Sequence, residues 1–297
     1  MPSERPESES ESESELVEAA RRGDRRAFER LLGRHIGPLR AFLRRLLCDP
    51  DDAADLAQEA SLRAYEAIAS FRGDASFRTW LFAIGARKGL DLLRRRKRWP
   101  IDAQIEGERV ALASSEVMAS IHEVVRADDF RYEYRQHVAY CFACVARSLP
   151  EEESAALLLC EVYLLDGPAA AKILGMSEST LRHRLAAARR EMQARFEGLC
   201  ALIGKQGVCY QCAALRDICP EPRRGPAPAP IAEETASPDD KLRRRLAIVR
   251  QVDLEGGPDH ALHDRLFRFM SGLWDGEGPR RARDRRRGEA RAEIGST

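Results

Sequence analysis

The stretch from residue 148 to 196 constrains the fold most, because two helical patterns meet there at a tight turn. The first helix has its apolar stripe at Ala169, Ala170, Ile173 and Leu174. The turn after it contains a glycine and ends at Ser177, which is placed to cap the next helix. A helix, a glycine-containing turn and a capped second helix together predict a helix-turn-helix.

The second helix of this motif has one apolar side and one basic side. Its inward positions recur at helical spacing at Leu181, Leu185, Ala188 and Met192. Hydroxyl groups at a helix N-terminus can hold phosphate, and arginine can bind guanine edges in the major groove. We therefore predict DNA contacts at Ser177, Ser179, Thr180, Arg182, His183, Arg184 and Arg189. An ordinary antiparallel helix pair with a solvated basic side is the alternative interpretation.

Composition favours an all-α protein with two small domains rather than one large core. The chain has 297 residues, of which 44% are hydrophobic and only 6% aromatic, and Ala, Leu, Arg and Glu dominate its runs. The net charge of +1 does not exclude nucleic acid, because the first fifteen residues are acidic whereas several later helices are strongly basic. The distribution of charge is therefore more informative than its sum.

The sequence also excludes several classes of protein. No apolar run approaches the length of a membrane span, and the N-terminus is acidic, so we predict a cytoplasmic protein without a membrane partner. The sequence contains neither a Gly-rich phosphate loop nor a Ser-His-Asp arrangement. We therefore predict that the protein is not an enzyme and has no small-molecule substrate. Eight cysteines in the cytoplasm suggest metal ligands, reactive thiols or core packing rather than disulfides.

Periodicity and composition divide the chain into eight segments. We predict a disordered acidic tail over 1–14, a helical domain over 15–98, a linker over 99–129 and the helix-turn-helix domain over 130–199. Beyond it we predict a cysteine-containing segment over 200–220, a mobile Pro/Ala linker over 221–239, a helical hairpin over 240–275 and a basic disordered tail over 276–297.

The first domain contains an acidic helix face and a basic segment rich in aromatic residues. Asp55, Gln58 and Glu59 lie opposite the apolar side of their helix. The following segment mixes cations with aromatic rings, a combination that suits single-stranded nucleic acid, although a small core and a charged helix end could also explain it. Its candidate DNA-binding residues are Arg72, Phe77, Arg78, Trp80, Arg87, Lys88, Arg94 and Arg95.

Four short motifs in this domain carry a family resemblance. In order they are Asp55-Leu56-x-Gln58-Glu59, Phe71-Arg72-Gly73, Phe77-Arg78-Thr79-Trp80-Leu81 and Asp91-Leu92-Leu93-Arg94-Arg95. They resemble region two of the extracytoplasmic-function (ECF) group of bacterial RNA polymerase sigma factors, and the helix-turn-helix resembles region four. The resemblance covers roughly residues 16–98 and 130–196.

This resemblance implies an alternative sigma factor whose partners are core RNA polymerase and promoter DNA. Asp55, Gln58 and Glu59 would face the polymerase clamp helices, the segment over 71–95 would open the −10 element, and the recognition helix would read the −35 element. A separate anti-sigma protein is a further candidate partner. Two alternatives stay open, namely a helix-turn-helix regulator that acts without polymerase and a thiol-dependent redox protein.

Two C-x2-C pairs flank the helix-turn-helix domain, and their spacing matches the halves of a structural zinc site. The four predicted zinc ligands are Cys141, Cys144, Cys209 and Cys212. A thiol redox switch and plain buried cysteines are the alternatives. His137 lies one turn before Cys141 and ranks behind Cys209 and Cys212 as a ligand, whereas Cys48 and Cys160 fit core packing.

Overall fold

The structure is a computed structural model that describes residues 12–221, 223–257 and 259–275. These residues form fourteen α-helices and no β-sheet, which confirms the predicted all-α class. The helices are α1 (Glu13–Arg21), α2 (Arg25–Gly33), α3 (Ile36–Leu47), α4 (Pro50–Ala67), α5 (Phe77–Arg95), α6 (Ala103–Ala113), α7 (Ser115–Arg126), α8 (Tyr134–Arg147), α9 (Glu151–Leu157), α10 (Gly167–Leu174), α11 (Glu178–Leu199), α12 (Gln211–Asp217), α13 (Pro238–Gln251) and α14 (His260–Trp274). None of the described helices is both long and apolar enough to cross a bilayer.

Helices α3, α4 and α5 form the centre of the first domain. Asp49 caps α4 by accepting from the backbone N–H groups of residues 51 and 52, and Ser76 caps α5 in the same way at Thr79. Close packing of α5 on α3 depends on Gly85, because a Cβ there would lie 2.7 Å from Leu39 Cδ1. The domain is thus held by capped helices that meet at small residues.

The predicted acidic tail is shorter than its composition suggests. Helix α1 begins at Glu13, within the segment predicted to be disordered. Ser12 accepts from the backbone N–H of Glu15, and the Glu15 side chain accepts from the backbone N–H of Ser12, so the two form a capping box. Residues 1–11 lie outside the described part of the chain.

The predicted linker over 99–129 is mostly helical and packed. It contains α6 and α7, and Trp99 at its start is only 2% exposed. Its periodicity is weak because its apolar partners come from distant segments. One cluster joins Ile121 and Val125 of α7 to Phe130, Tyr132, Cys219 and Leu262.

The helix-turn-helix is formed by α10 and α11, as predicted. Gly175 ends α10 with φ of +64°, a conformation that glycine adopts without strain. Ser177 then accepts from the backbone N–H of Thr180 and caps α11. The inward residues Leu181, Ala188 and Met192 are buried, which confirms the predicted apolar side.

The C-terminal extension contains the two predicted helices, but they dock on different parts of the protein. Helix α13 packs on α8 and α11, whereas α14 packs on α4, α6, α7 and α8. The Pro/Ala segment is also docked, since Ile231 is buried and its backbone N–H donates to the Leu202 carbonyl at 2.8 Å. The predicted basic tail over 276–297 lies outside the described residues.

Asp275, at the end of α14, anchors the extension to both predicted domains, 15–98 and 130–199. Its carboxylate accepts from Trp99 Nε1 at 2.8 Å, from Arg147 at 2.9 Å and from Arg96 at 3.2 Å. The Asp275 and Arg147 side chains are only 2% and 3% exposed. Burial raises the pKa of Asp275 above its ordinary value, although the neighbouring guanidinium groups oppose that change.

We expect Asp275→Ala to destabilise the protein by about 3 kcal/mol, because it leaves the buried Arg147 guanidinium without its carboxylate. Urea unfolding followed by circular dichroism would measure the loss. Glu106→Ala is the control, since it breaks an exposed pair with Arg109 and should leave the midpoint nearly unchanged. Equal midpoints for the two variants would contradict the anchoring role.

Candidate nucleic-acid interface, acidic face and thiol cluster

The first turns of α11 present the predicted DNA-reading residues to solvent. Ser179, Thr180, Arg182 and His183 are exposed, and Ser177 is exposed at the cap. Arg182 and His183 form no ion pair with any described residue. These side chains therefore project from the helix N-terminus, the end that can also attract phosphate.

Arg184 and Arg189 differ from the other predicted DNA contacts. Arg184 pairs with Glu152 at 3.2 Å and with Glu153 at 3.6 Å, and Arg189 donates through Nε to Glu161 at 2.7 Å. Both arginines are held by the acidic residues of their own domain. Both side chains stay nearly half exposed, so their contact with DNA stays a prediction in which phosphate would replace these ion pairs.

The predicted DNA-binding cations of the first domain also form two groups, those that are exposed and those that contact other side chains. Arg72, Arg87 and Arg95 are exposed. Lys88 pairs with Glu59, and Arg94 is shared among the carboxylates of Asp91, Glu151 and Glu152. The guanidinium of Arg78 lies 5.5 Å from the centre of the Phe82 ring. Arg94 is nonetheless exposed, so Arg78 and Lys88 are the predicted cations of this segment that are only partly open to solvent.

Phe77 is a core residue and not a DNA contact. It is 1% exposed, and its ring packs against the rings of Phe28, Phe71 and Trp80 at 5.7 to 6.3 Å between centroids. Trp80 is half-buried and lies 5.0 Å from Phe71. Of the two predicted stacking residues, only Trp80 reaches the surface.

The acidic face of α4 is accessible at Asp55, Gln58 and Glu59, all of which are exposed. Asp51 lies one helical turn before Asp55 on the same face. Arg268 of α14 binds Asp51 through two hydrogen bonds of 2.9 Å. The C-terminal extension thus reaches the edge of the acidic face.

The two domains contact each other directly at charged residues. Glu152 of α9 binds Arg94 of α5 and Arg184 of α11, at 3.4 Å and 3.2 Å. Lys172 of α10 donates to the Asp74 carbonyl at 2.6 Å. Glu152 therefore ties together one basic residue from each predicted DNA-binding surface.

Four cysteines lie in the neighbourhood of the buried Arg245 of α13. They are Cys141, Cys200, Cys209 and Cys212, and the positive charge of Arg245 acts on the thiols of Cys141, Cys209 and Cys212. Burial raises the pKa of Cys209 to about 11 and that of Cys212 to about 12. Cys200 instead accepts hydrogen bonds from Arg245 at 3.5 and 3.7 Å.

This cluster differs from the predicted zinc ligands by one residue. Burial and a hydrogen bond with Cys48 raise the pKa of Cys144 well above its ordinary value, so Cys144 faces the first domain. Cys200 takes its place near the other three. Among the residues that the structure describes, no three His, Cys, Asp or Glu are grouped as metal ligands. Zinc binding stays a prediction.

Sequence reasoning missed Cys200 and Arg245. The sequence did contain a signal for the burial of Arg245, because this residue lies on the same side of α13 as the apolar residues Leu242, Leu246 and Val249.

His137, the lower-ranked candidate zinc ligand, hydrogen-bonds His263 at 3.3 Å, and burial lowers the pKa of His137 to about 4. Cys48 is fully buried, in line with the packing role predicted for it, and Cys160 is half-buried.

Comparison with known proteins identifies both domains. Residues 31–99 match the model of sigma-70 region 2, and residues 140–192 match that of sigma-70 region 4. The chain is 30% identical over 186 residues to the RNA polymerase sigma-H factor of Pseudomonas aeruginosa, covering 62% of this chain and 94% of that protein. It is 29% identical over 194 residues to the ECF RNA polymerase sigma-E factor of Escherichia coli K12, covering 65% and 98%.

A solved structure, that of CnrH in complex with the cytosolic domain of CnrY, is 26% identical in sequence to this chain. Its TM-score is 0.41, and the match covers 62% of this chain and 96% of that one. The two family models match neither residues 100–139 nor any residue beyond 192.

We expect Glu152→Gln to strengthen binding to duplex DNA, because it releases Arg94 and Arg184 for phosphate. Each added phosphate contact should steepen the salt dependence, so the slope of log K against log salt should grow by about 1 to 2. Glu106→Gln makes the same charge change away from both surfaces. If the two variants bind DNA with equal slopes, Glu152 does not restrain these arginines.

Proposed function

Because this chain belongs to the ECF group of bacterial RNA polymerase sigma factors, we propose that α4 and α11 divide its two recognition tasks. The protein binds core RNA polymerase and directs promoter recognition and transcription initiation. In the proposal, α4 contacts the polymerase, the segment around α5 opens the −10 element, and α11 reads the −35 element. The protein acts where the polymerase is, in the cytoplasm, and carries out no catalysis of its own.

The proposed polymerase-binding surface is the acidic face of α4. Its support is that Asp55, Gln58 and Glu59 are exposed together on one helix while the opposite side is buried. Basic or polar helices of a partner could dock there, because the exposed carboxylates would attract them and speed association. Lys88, which pairs with Glu59, borders this surface.

The proposed −35 reader is the N-terminal half of α11, with Arg182 and His183 at its centre. Their exposure and the phosphate-attracting cap at Ser177 support this assignment. For the −10 element the exposed residues Arg72, Arg87 and Arg95, with the half-buried Trp80, are the proposed contacts. Aromatic and cationic groups together suit the strand that opens at this element.

The observation that carries this proposal is the presence of both sigma regions, in the expected order, in one chain. A regulator that acts without polymerase would have no use for region 2, so that alternative is not favoured. Transcription in vitro with core polymerase and promoter fragments tests the proposal. Promoter-specific transcripts that require the added protein are the expected result, and binding to DNA alone would contradict it.

We expect Asp55→Arg with Glu59→Arg to weaken binding to core polymerase by at least about 100-fold, since like charges across an interface cost several kcal/mol. The fold should persist, because both side chains are exposed. Fluorescence anisotropy with labelled protein would measure the affinity. Glu18→Arg with Glu29→Arg changes the charge equally on exposed positions of α1 and α2 and should bind normally. Normal binding by the first pair would contradict the assignment of this face.

We expect Arg182→Ala to lower −35 selectivity by about 1 to 3 kcal/mol at one base pair, the usual value of one arginine contact to a base. Arg184→Ala should change selectivity less, because Glu152 and Glu153 already hold its guanidinium. Competition binding with single-base variants of a selected promoter would measure both. Greater loss from Arg184→Ala would show that the two arginines exchange roles on DNA.

A further inference from the structure

An apolar cavity lies where the linker meets the C-terminal part of the chain. Its walls come from α6 and α7 of the linker, from α8, from α12 and from α14, and its volume is about 110 Å³. Leu112 and Ala214 line it and are exposed, so it opens to solvent beside them. An apolar cavity of about 150 Å³ can hold benzene. A partly open cavity of the present size has room for one ring with a small polar group.

Gln104 is the buried polar residue that this cavity leaves unsatisfied. It lines the cavity and is only 2% exposed. Its backbone carbonyl accepts from Gln211 Nε2 at 2.9 Å, but neither Nε2 nor Oε1 of its own side chain has a hydrogen-bond partner in the described part of the chain. A buried amide without hydrogen bonds is unfavourable. A molecule in the cavity that bonds to this amide would remove that cost.

The Gln104 amide determines which polar group is complementary to it. A side-chain amide presents a donor and an acceptor side by side, and it does so in either orientation of its oxygen and nitrogen. A primary carboxamide or a lactam presents the matching acceptor and donor. A carboxylate offers only acceptors and an amidinium only donors, so each would leave one atom of Gln104 unpaired.

The charges at the cavity favour a neutral molecule. No lysine or arginine of the described ranges lines it. His137 does, but burial lowers its pKa to about 4 and its Nδ1 is hydrogen-bonded with His263, so the ring is uncharged at neutral pH. Glu108 is the carboxylate at the cavity and would repel an anion. A cation would have to leave water for walls that are mostly apolar.

We propose that this cavity binds a small neutral ring compound that carries a carboxamide or lactam group. Gln104 pairs with that group through both of its side-chain atoms, and the ring lies against the apolar walls. The molecule is bound without being converted. This proposal rests on Gln104 and the cavity, and not on the polymerase and promoter contacts proposed above.

Binding at this place would hold distant segments of the chain together. Phe269 and Met270 of α14 line the same cavity as Gln104 of α6. Helices α6 and α14 already approach closely at Gly107, where a Cβ would collide with Met270 Sδ. A ligand that binds only the docked arrangement stabilises it by mass action. The ligand should therefore raise the thermal midpoint and slow hydrogen exchange in α14.

The test uses the full-length protein and four probes that share one ring and differ in the polar group. Benzamide offers a donor and an acceptor, benzoate only acceptors, benzamidinium only donors, and toluene neither. Isothermal titration calorimetry measures their affinities. We expect benzamide to bind about tenfold more tightly than benzoate and benzamidinium, since each of these leaves a buried hydrogen-bonding group unpaired.

The methionine methyl groups report where benzamide binds. Met118 and Met270 line the cavity, whereas Met176 and Met192 belong to the helix-turn-helix. In protein labelled with ¹³C at the methionine methyl groups, benzamide should shift the signals of the first two saturably. The signals of Met176 and Met192 serve as internal controls and should stay in place.

Three variants test the role of Gln104. Gln104→Met keeps a similar volume without the amide, so the preference for benzamide over toluene should fall by about tenfold or more. Its thermal midpoint should not fall, because an unpaired buried amide is removed. Ala111→Leu puts extra methyl groups into the cavity and should weaken both probes. Ala113→Leu, at the exposed last residue of α6, is the matched control and should bind both normally.

Three results would overturn the proposal. The first is benzamide that shifts neither Met118 nor Met270. The second is benzamidinium or benzoate that binds more tightly than benzamide, which would show that the site selects an ion. The third is a preference for benzamide over toluene that Gln104→Met leaves unchanged. The first two need only the natural protein, so the proposal can be refuted even if a variant does not fold.

Discussion

Helix α8 has almost no exposed surface, and the arrangement of the molecule follows from that constraint. Every residue from Gln136 to Arg147 is buried. A helix that is apolar on all sides must be covered on all sides, and the helix-turn-helix alone cannot do so. Region 2 covers one side through α3, the linker covers another through α6, and α9, α11, α12, α13 and α14 cover the rest. The two sigma regions and the extension therefore share one core.

Buried charged groups where the sigma regions meet the C-terminal extension make the packing of this core specific. Arg44, Arg45 and Arg147 are each at most 5% exposed, and each finds its partner in the C-terminal extension. Asp264 binds Arg44, the Val252 carbonyl accepts from Arg45, and Asp275 binds Arg147. An unpaired buried guanidinium is costly, so these arginines require the extension in its docked position. Arg245 fits the same rule with a sulfur in place of a carboxylate.

The docked arrangement also restrains residues with proposed DNA roles. Glu152 holds Arg94 and Arg184, and Glu161 holds Arg189, while Arg182 and His183 stay exposed. These ion pairs are partly exposed, so each contributes little to stability and can exchange for phosphate at small cost. Weak pairs of this kind can restrain a binding surface without preventing its use.

The sequence by itself determined the all-α class, the two sigma regions, and the capped turn between α10 and α11, because caps, glycine turns and apolar periodicity act within a few residues. The tertiary structure decided what depends on distant partners. It buried Phe77 among Phe28, Phe71 and Trp80, and it packed the weakly periodic linker against the extension. It also turned Cys144 toward Cys48 and put Cys200 beside Arg245, because residues one turn apart on α8 face different neighbours. No local pattern specifies which neighbours those are.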